Sequence, residues 1–428
     1  MSFTLVASAI RGVSYIDPGT GSMLFTLLVG LLSASYFFVR KLVIKARFAL
    51  SGGRVQKNSE RMPIVIFSDD KRYWNVFGSV CDELERRGQE ATFWTASPDD
   101  PALEQDYEHV TCEFIGEGNK AFARLNMMSA DVCLSTTPGL QVYQWKRSDE
   151  VGLYAHVLHM VDSAATYRMF GLDFYDSILL TGEFQVGEER ELERMRELPP
   201  KDLRVVGCTY MDALAKRASS EGIPAHEGRT VLLAPSWGQS AILSKYGHEI
   251  IDALVATGWH VVVRPHPQSM KSEREMMDEL MASYPDGEAV EWNFDNDNFD
   301  CLSRADVMVS DFSGVVYDYA LVFDGPVIYA EGQFDPSEYD AWWFDEPLRK
   351  FDHYKMMGIP LTRDQLPRMG EVLEEALADE TLAAGRDAVR DEVWQHRGRA
   401  ASLIVDYLIE QQQRIAQTEQ GNEDQATQ

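Results

Sequence analysis

Two polar side chains, Arg264 and His266, flank one proline in the run VVVRPHPQSM, Val261–Met270. Three β-branched residues lead in, and a proline cannot donate a ladder hydrogen bond, so a strand should stop there. Arg and His then fall in the loop past the strand's carboxyl end, where open α/β sheets bind ligands. An Arg offers a planar fork to phosphate oxygens, and a His adds a donor whose charge can change. The plainer reading is a strand end with a surface Arg and a capping His.

A second stretch, ADVMVSDFSGVVYDYA, covers Ala305–Ala320. An apolar strand ends in Ser310 and Asp311. Ser313 and Gly314 then open a helix that carries Asp318. Exposed N–H groups at a helix start, with the helix dipole behind them, can hold phosphate without Lys or Arg. Taken alone the turn is also an ordinary Ser/Asp cap. Arg264 and His266 lie on the strand before that helix, and together they make a diphosphate pocket. Ser236 and Trp237, in LLAPSWG, reach a third strand end where a base or an acceptor could pack. No G-x-G-x-x-G is present, so a dinucleotide-type Rossmann site is not supported.

His156 and His159 close the segment VGLYAHVLH. A zinc pair lacks a clear third ligand, and a core histidine is the usual role for either one. His159 sits where a strand of the first half should end, facing the cleft between halves. It is therefore the better general base.

The elements that must place these groups alternate. Pro63–Ser68 reads as a strand, Tyr73–Gly88 as a helix ending in Arg-Arg-Gly, and EATFWTA as the next strand. Ala130–Thr136, Val151–His159, Asp176–Gly182 and Leu203–Thr209 follow as strands, with a charged helix over Glu183–Lys201. A second set starts at Thr230–Trp237 and repeats the pattern. The fold class is thus α/β, with two Rossmann-like halves divided near Met211–Arg229. A C-terminal helical segment over Glu371–Gln413 should pack against the sheets.

Lys+Arg 40 against Asp+Glu 68 leave a net charge of −28. That argues against nucleic acid as a partner, which needs a basic face. It leaves room for a small anion held by a few placed cations. Five scattered cysteines without a C-x-x-C pair fit buried thiols rather than disulfides or zinc, and no metal or cofactor is called for. Met23–Val39 carries no charge and is followed by Arg40, Lys41, Lys45 and Arg47. It reads as one transmembrane helix with the long C-terminal part in the cytoplasm. A cleaved signal peptide fits poorly, and a core helix is the rival.

LLAPSW, VVVRPHP and SRADVMVSDFSGVVYDYA, in that order and spacing, resemble the CDP-glycerol glycerophosphotransferase family of teichoic-acid polymerases. That family has patterns such as APTW, RxHP and (T/S)DYSSxxxD. VGCTYMDAL, Val206–Leu214, is similar to its G-x-P-x-x-D-x-L element, with Tyr210 and Met211 departing from it. YAHVLHMVDSA resembles the W-H-G-T motif at His159 alone, since Val157-Leu158 replace the aromatic and Met160 the glycine. The resemblance runs from about Pro63 to Glu331.

It implies a GT-B fold, two Rossmann-like domains facing a cleft, here preceded by one N-terminal transmembrane helix. The implied divisions are a membrane anchor at 1–50 with its span about 23–39, a linker at 51–61, an acceptor domain at 62–215, a donor-binding domain at 225–380, C-terminal helices at 381–415 and a disordered tail at 416–428. The implied donor is CDP-glycerol or a related nucleotide-activated polyol or sugar. The acceptor is lipid-linked or polymeric, and the enzyme sits at the cell membrane with its catalytic part cytoplasmic. His159 would take the acceptor proton. His266 and Arg264 would meet the donor diphosphate, with Ser236, Ser310, Asp311, Ser313, Gly314 and Asp318 about it. A GT-B glycosyltransferase for capsule or lipid-linked glycan is the alternative; a nucleotide-sugar epimerase or a non-catalytic binding module stands further back.

Overall fold

Uninterrupted apolar runs decide the two sheets. Ile64–Phe67, Val231–Leu233, Val261–Val263 and Val307–Val309 are buried at every residue rather than at alternate ones. Such strands must be covered on both faces, which is the environment of a parallel sheet flanked by helices. A computed structural model describes Val39, Val43 and residues 61–222, 228–295, 297–330 and 334–426. Its contacts separate two units, Met1–Arg54 and Val55–Gln428, and all that follows concerns the second.

The first sheet holds β1 (Met62–Ser68), β2 (Ala91–Thr95), β3 (Val110–Phe114), β4 (Ala130–Ser135), β5 (Val151–Val157), β6 (Ser177–Leu180) and β7 (Asp202–Val205). Their order is 3-2-1-4-5-6-7, every pair parallel. The second holds β8 (Thr230–Leu233), β9 (His260–Val263), β10 (Val290–Trp292), β11 (Val307–Ser310), β12 (Val327–Ala330) and β13 (Gly358–Leu361), in the order 10-9-8-11-12-13, again parallel. Strand order reverses between β1 and β4 in one sheet and between β8 and β11 in the other. Those are the switch points at which doubly wound sheets open a crevice. The helices that matter below are α1 (Trp74–Arg86), α2 (Glu183–Arg196), α3 (Thr209–Glu221), α4 (Val315–Val322), α5 (Lys350–Met357), α6 (Thr381–Val393) and α7 (Ala400–Ala426).

Two edge strands escape the sequence reading. β3 reads VTCEF, half exposed and mixed in polarity. β13 reads GIPL, and its proline is tolerated because it lies at a sheet edge. The β5 strand stops at Val157, so His159 lies in the loop beyond it. The stretch from Ala416, expected to be disordered, continues α7 to Ala426. The expected span Met23–Val39 lies, apart from Val39, outside the described residues. Among the described residues no helix is long and apolar enough to cross a membrane.

The last helix does not stay with the second half. Ile404, Val405 and Leu408 are fully buried among Ile64, Ile66, Val132 and Leu134, inside the first half's core. The crossing needs two close approaches. A side chain at Gly182 would meet the Glu392 carbonyl at 2.3 Å, and Gly207 has φ +93 beside the Gln395 carbonyl. Leu408→Ala should therefore destabilise the protein by about 2–5 kcal/mol, as for a buried leucine anywhere in a core. Urea unfolding of the full chain measures this, and a loss below about 1 kcal/mol would mean that α7 is only loosely docked.

Candidate active site

The carboxyl ends of both sheets open onto one cleft. A cavity of about 830 Å3 is lined from the first half by Asp70, Arg72, Trp74 and Asp99, and from the second by Arg264, Pro265, Pro267, Lys271, Asn293 and Phe294. Tyr210 and Arg217 of α3 complete it. The chain is strongly acidic, yet several of its cations gather here. Lys71 is paired with Asp99 and Arg217 with Asp297. Arg264 is held by neutral oxygens instead, the Asn293 side chain and the Asp295 carbonyl, the latter at 2.9 Å. Its charge also acts on the nearby carboxyls of Asp297 and Asp318.

His159 lies two residues past β5, partly buried, with its ring 5.0 Å from that of Tyr73. The Thr136 hydroxyl donates to the Val157 carbonyl at 2.8 Å, and the same oxygen lies 2.7 Å from His159 Nδ1. A hydroxyl has one proton. With that proton on the Val157 carbonyl, Thr136 Oγ1 accepts from His159 Nδ1–H, Tyr167 Oη lies 3.2 Å from the same nitrogen, and Nε2 keeps a free lone pair. Burial first, and the charge of Arg72 second, push the His159 pKa down to about 4. The imidazole is thus neutral at pH 7 and competent as a base.

His266 has the opposite tautomer. Its Nδ1 accepts the Gln268 backbone N–H at 3.1 Å, so neutral His266 carries its proton on Nε2. Trp237 stacks on it with ring centroids 6.3 Å apart. Burial, then Arg72, lowers its pKa, with Glu273 opposing. Arg72 is thus the second cause of the lowered pKa for both histidines.

The other candidates divide. Ser313 and Gly314 lead into α4, where the Val316 and Tyr317 N–H groups donate back to the Ser313 and Gly314 carbonyls, so an N–H left for an anion lies ahead of Val316. Ser236, Ser310 and Asp311 face inward. The Asp311 carboxyl, its pKa raised by burial, accepts from Ser236 Oγ (2.5 Å), from the Ser236 N–H and from the Ile242 N–H. Ser310 donates to the Ala234 carbonyl. These three tie the loops after β8 and β11 together and do not meet the cleft. Asp318 stands behind the wall, accepting from Tyr210 Oη at 2.9 Å and Asn298 Nδ2 at 3.3 Å; burial pushes its pKa up to about 7. His156 is fully buried, its Nε2 3.3 Å from Tyr167 Oη and its ring edge-on to Tyr167 and Tyr175.

Sequence reasoning passed over Thr136, Arg72 and a buried bridge. Asp162, three residues past His159, meets Lys350 of α5 at 2.6 Å, with both side chains almost wholly buried. Lys350 also donates to the Phe312 carbonyl at 3.1 Å, in the turn before Ser313. Gln185 and Glu188 of α2 hold the rest of the loop: Gln185 donates to the Asp162 carbonyl, and Glu188 accepts from Ser163 Oγ and the Ala164 N–H. Burial raises the Glu188 pKa to about 7. Thr136 had a faint signal, a polar residue closing an apolar strand; Lys350 had none. Among the described residues no group of His, Cys, Asp and Glu is arranged to hold a metal ion.

Two parallel doubly wound sheets, with one cavity lined from both halves, make a GT-B-like fold. The sequence profile of the CDP-glycerol:poly(glycerophosphate) glycerophosphotransferases matches residues 193–410, just over half of the chain. The chain belongs to that family and is an enzyme of its glycerophosphotransferase kind. No curated protein matches it in sequence. Its fold is similar to that of the wall teichoic acid polymerase TagF (TM-score 0.53, 14% identity, 89% of this chain and 98% of that one). A TagF structure soaked with CDPG is similar too (0.52, 12%, 89% and 98%). So is a Listeria monocytogenes protein assigned as a UDP-N-acetylglucosamine 2-epimerase (0.50, 13%, 80% and 94%). At these identities the likeness is one of fold.

The tautomer of His159 is open to test. Thr136→Val removes the shorter of two contacts at His159 Nδ1, leaving Tyr167 Oη at 3.2 Å, and should lower kcat by about tenfold or more, by loosening the hold on that proton. In the parent enzyme kcat/KM should fall only as pH drops toward about 4, because a depressed histidine pKa keeps the base deprotonated above that value. A rate–pH profile with its acid limb at an ordinary histidine pKa would contradict the burial argument.

Proposed function

We propose that the protein transfers glycerol phosphate, or a related polyol phosphate, from a CDP-activated donor to an acceptor hydroxyl in the synthesis of a teichoic-acid-like surface polymer. One observation carries this reading: the cavity that takes Arg264 and the two prolines flanking His266 from the second half takes Arg72 from the first, beside the Tyr73 ring that packs on His159. His159 can take a proton and His266 can give a hydrogen bond. Family membership supports CDP-glycerol as donor.

The acceptor oxygen attacks the donor phosphorus that bears glycerol as its proton passes to His159 Nε2. The bond to the CMP oxygen breaks, and the electron pair leaves with CMP. Arg264, His266 Nε2–H and the N–H groups at the start of α4 meet that charge. The acceptor is lipid-linked or polymeric, reached from the first half. Residues 1–50 anchor the enzyme to the cell membrane through Met23–Val39, with the catalytic part on the cytoplasmic side, as the four cations after that run favour.

Initial rates and donor titrations on three variants test the chemistry. His159→Ala should lower turnover by about a hundredfold to ten-thousandfold with donor affinity nearly unchanged. His266→Ala should weaken donor binding and turnover together, by roughly tenfold or more for a lost charge-assisted hydrogen bond. His156→Ala should only cost stability. An inactive His156→Ala beside an active His159→Ala would place the base wrongly, and normal donor binding by His266→Ala would leave Arg264-Pro265-His266 as a plain strand end. Fractionation of cells making the full chain or a chain starting at Met62 tests the anchor: the first should need detergent for release and the second should not.

A further inference from the structure

Arg72 follows β1 at the first sheet's switch point, in the stretch SDDKRY. Asp70 caps the short turn Lys71–Tyr73 by accepting the Arg72 N–H at 3.0 Å. This fixes the backbone of Arg72 and leaves its side chain projecting. The guanidinium is 61% exposed, and its ion pair with Asp70 is long at 3.4 Å. It lies over the Tyr73 ring, 5.4 Å from the centroid, and that ring in turn lies against His159. Across the same cavity stand Arg264 and the prolines flanking His266. An exposed pair of this kind is worth about 1 kcal/mol at most, so a phosphate can draw the guanidinium away from Asp70 at little cost.

The reacting phosphorus must lie between a base on the first half and a leaving group on the second. A cation that lines the same cavity as Arg264, and lies over the Tyr73 ring that packs on His159, is therefore within reach of that phosphorus. Burial is the larger cause that lowers the two histidine pKa values, and the Arg72 charge is the second cause for each. Its planar fork suits two oxygens of one phosphate better than a point charge would.

We propose that Arg72 is a catalytic residue that binds the non-bridging oxygens of the phosphate being transferred, so that the first half supplies part of the donor's phosphate site. The proposal rests on the CDP-glycerol reading above. In the step, Arg72 keeps all its protons. The acceptor oxygen bonds to phosphorus, its proton goes to His159, the bond to CMP breaks, and Arg72 neutralises charge on the two spectator oxygens throughout.

The test uses the full chain with Arg72→Gln, Arg72→Lys and, as a control, His159→Ala. CMP release gives kcat and both KM values, titration with CDP-glycerol gives donor affinity, and thermal unfolding reports stability. Arg72→Gln should lower kcat by about a hundredfold to a thousandfold, as for one lost transition-state donor. Acceptor KM and the thermal midpoint should hold, and Arg72→Lys should recover part of the rate. Any of three results overturns the proposal: Arg72→Gln within about threefold of the parent, a defect confined to acceptor KM, or a rate loss that tracks a lowered midpoint in both Arg72 variants. An inactive His159→Ala beside an active Arg72→Gln would sink the role of Arg72 and leave the function standing. A parent protein that neither binds nor turns over CDP-glycerol would remove both.

Discussion

The buried ammonium of Lys350 joins the two halves where they matter most. It reaches the Asp162 carboxylate on the loop that carries His159 and the Phe312 carbonyl in the turn that opens α4. A charge taken so far from water is held only if partners surround it. Removing one member of such a pair typically costs about 3–5 kcal/mol, because the other is left uncompensated. The separation of the base from the phosphate-facing helix start is therefore set by one side chain. Other contacts keep it there. Arg196 of α2 pairs with Asp340 at 2.6 Å, and the Arg168–Tyr339 bridge lays the segment before α5 along the first half. The α6–α7 crossing closes the third side. Rigidity at the base of the cleft leaves adjustment to side chains at its mouth, where Arg72, Lys271 and Phe294 are among the exposed members.

The two histidines differ through their neighbours alone. Thr136 spends its only proton on Val157 and so forces His159 to give up Nδ1–H. A backbone N–H two residues on forces His266 to receive at Nδ1. Neither arrangement needs a carboxylate beside the imidazole. That fits a site built for an anionic donor, since a fixed carboxylate next to the diphosphate would repel it. The acids that line the cavity are each met by a neighbour: Asp70 by Arg72, Asp99 by Lys71, Asp295 by Asn293 and Asp297 by Arg217, and others are turned to other work. Asp311 holds the β8 loop, Asp162 holds Lys350, and Asp318 accepts from Tyr210 and Asn298.

The alternation of apolar runs with amphipathic helices made both sheets readable, because a doubly covered strand writes its burial into consecutive residues. The edges were not readable. β3 and β13 have a half-wet environment and the mixed composition that goes with it. Site residues were legible as far as local order carries them. Arg264 sits at a strand end and comes to the cleft, with His266 between two prolines that line it, and Ser313 and Gly314 open α4. Ser236, Ser310 and Asp311 have the same kind of local sequence and turn inward, because a short polar side chain after a strand can face a ligand or lace two loops. Only the packing chooses. Lys350 lies far along the chain from Asp162, and α7 far from the core it fills, so no window of sequence holds either contact.

Burial gives His159 a weakness that the donor itself can ease. An imidazole with a pKa near 4 is always deprotonated at neutral pH, yet it is a feeble base. Part of that depression is solvent lost to the protein and stays fixed. The rest is repulsion from Arg72, and an arriving diphosphate would cancel it by pairing with the guanidinium and adding negative charge of its own. On the proposed assignment, then, a donor that pairs with Arg72 relieves the smaller of the two causes, while burial continues to hold the pKa down. Proton removal from an acceptor hydroxyl would be coupled, to that extent, to the presence of the phosphate it must attack. A water molecule entering an empty cleft would meet the weaker form of the same base.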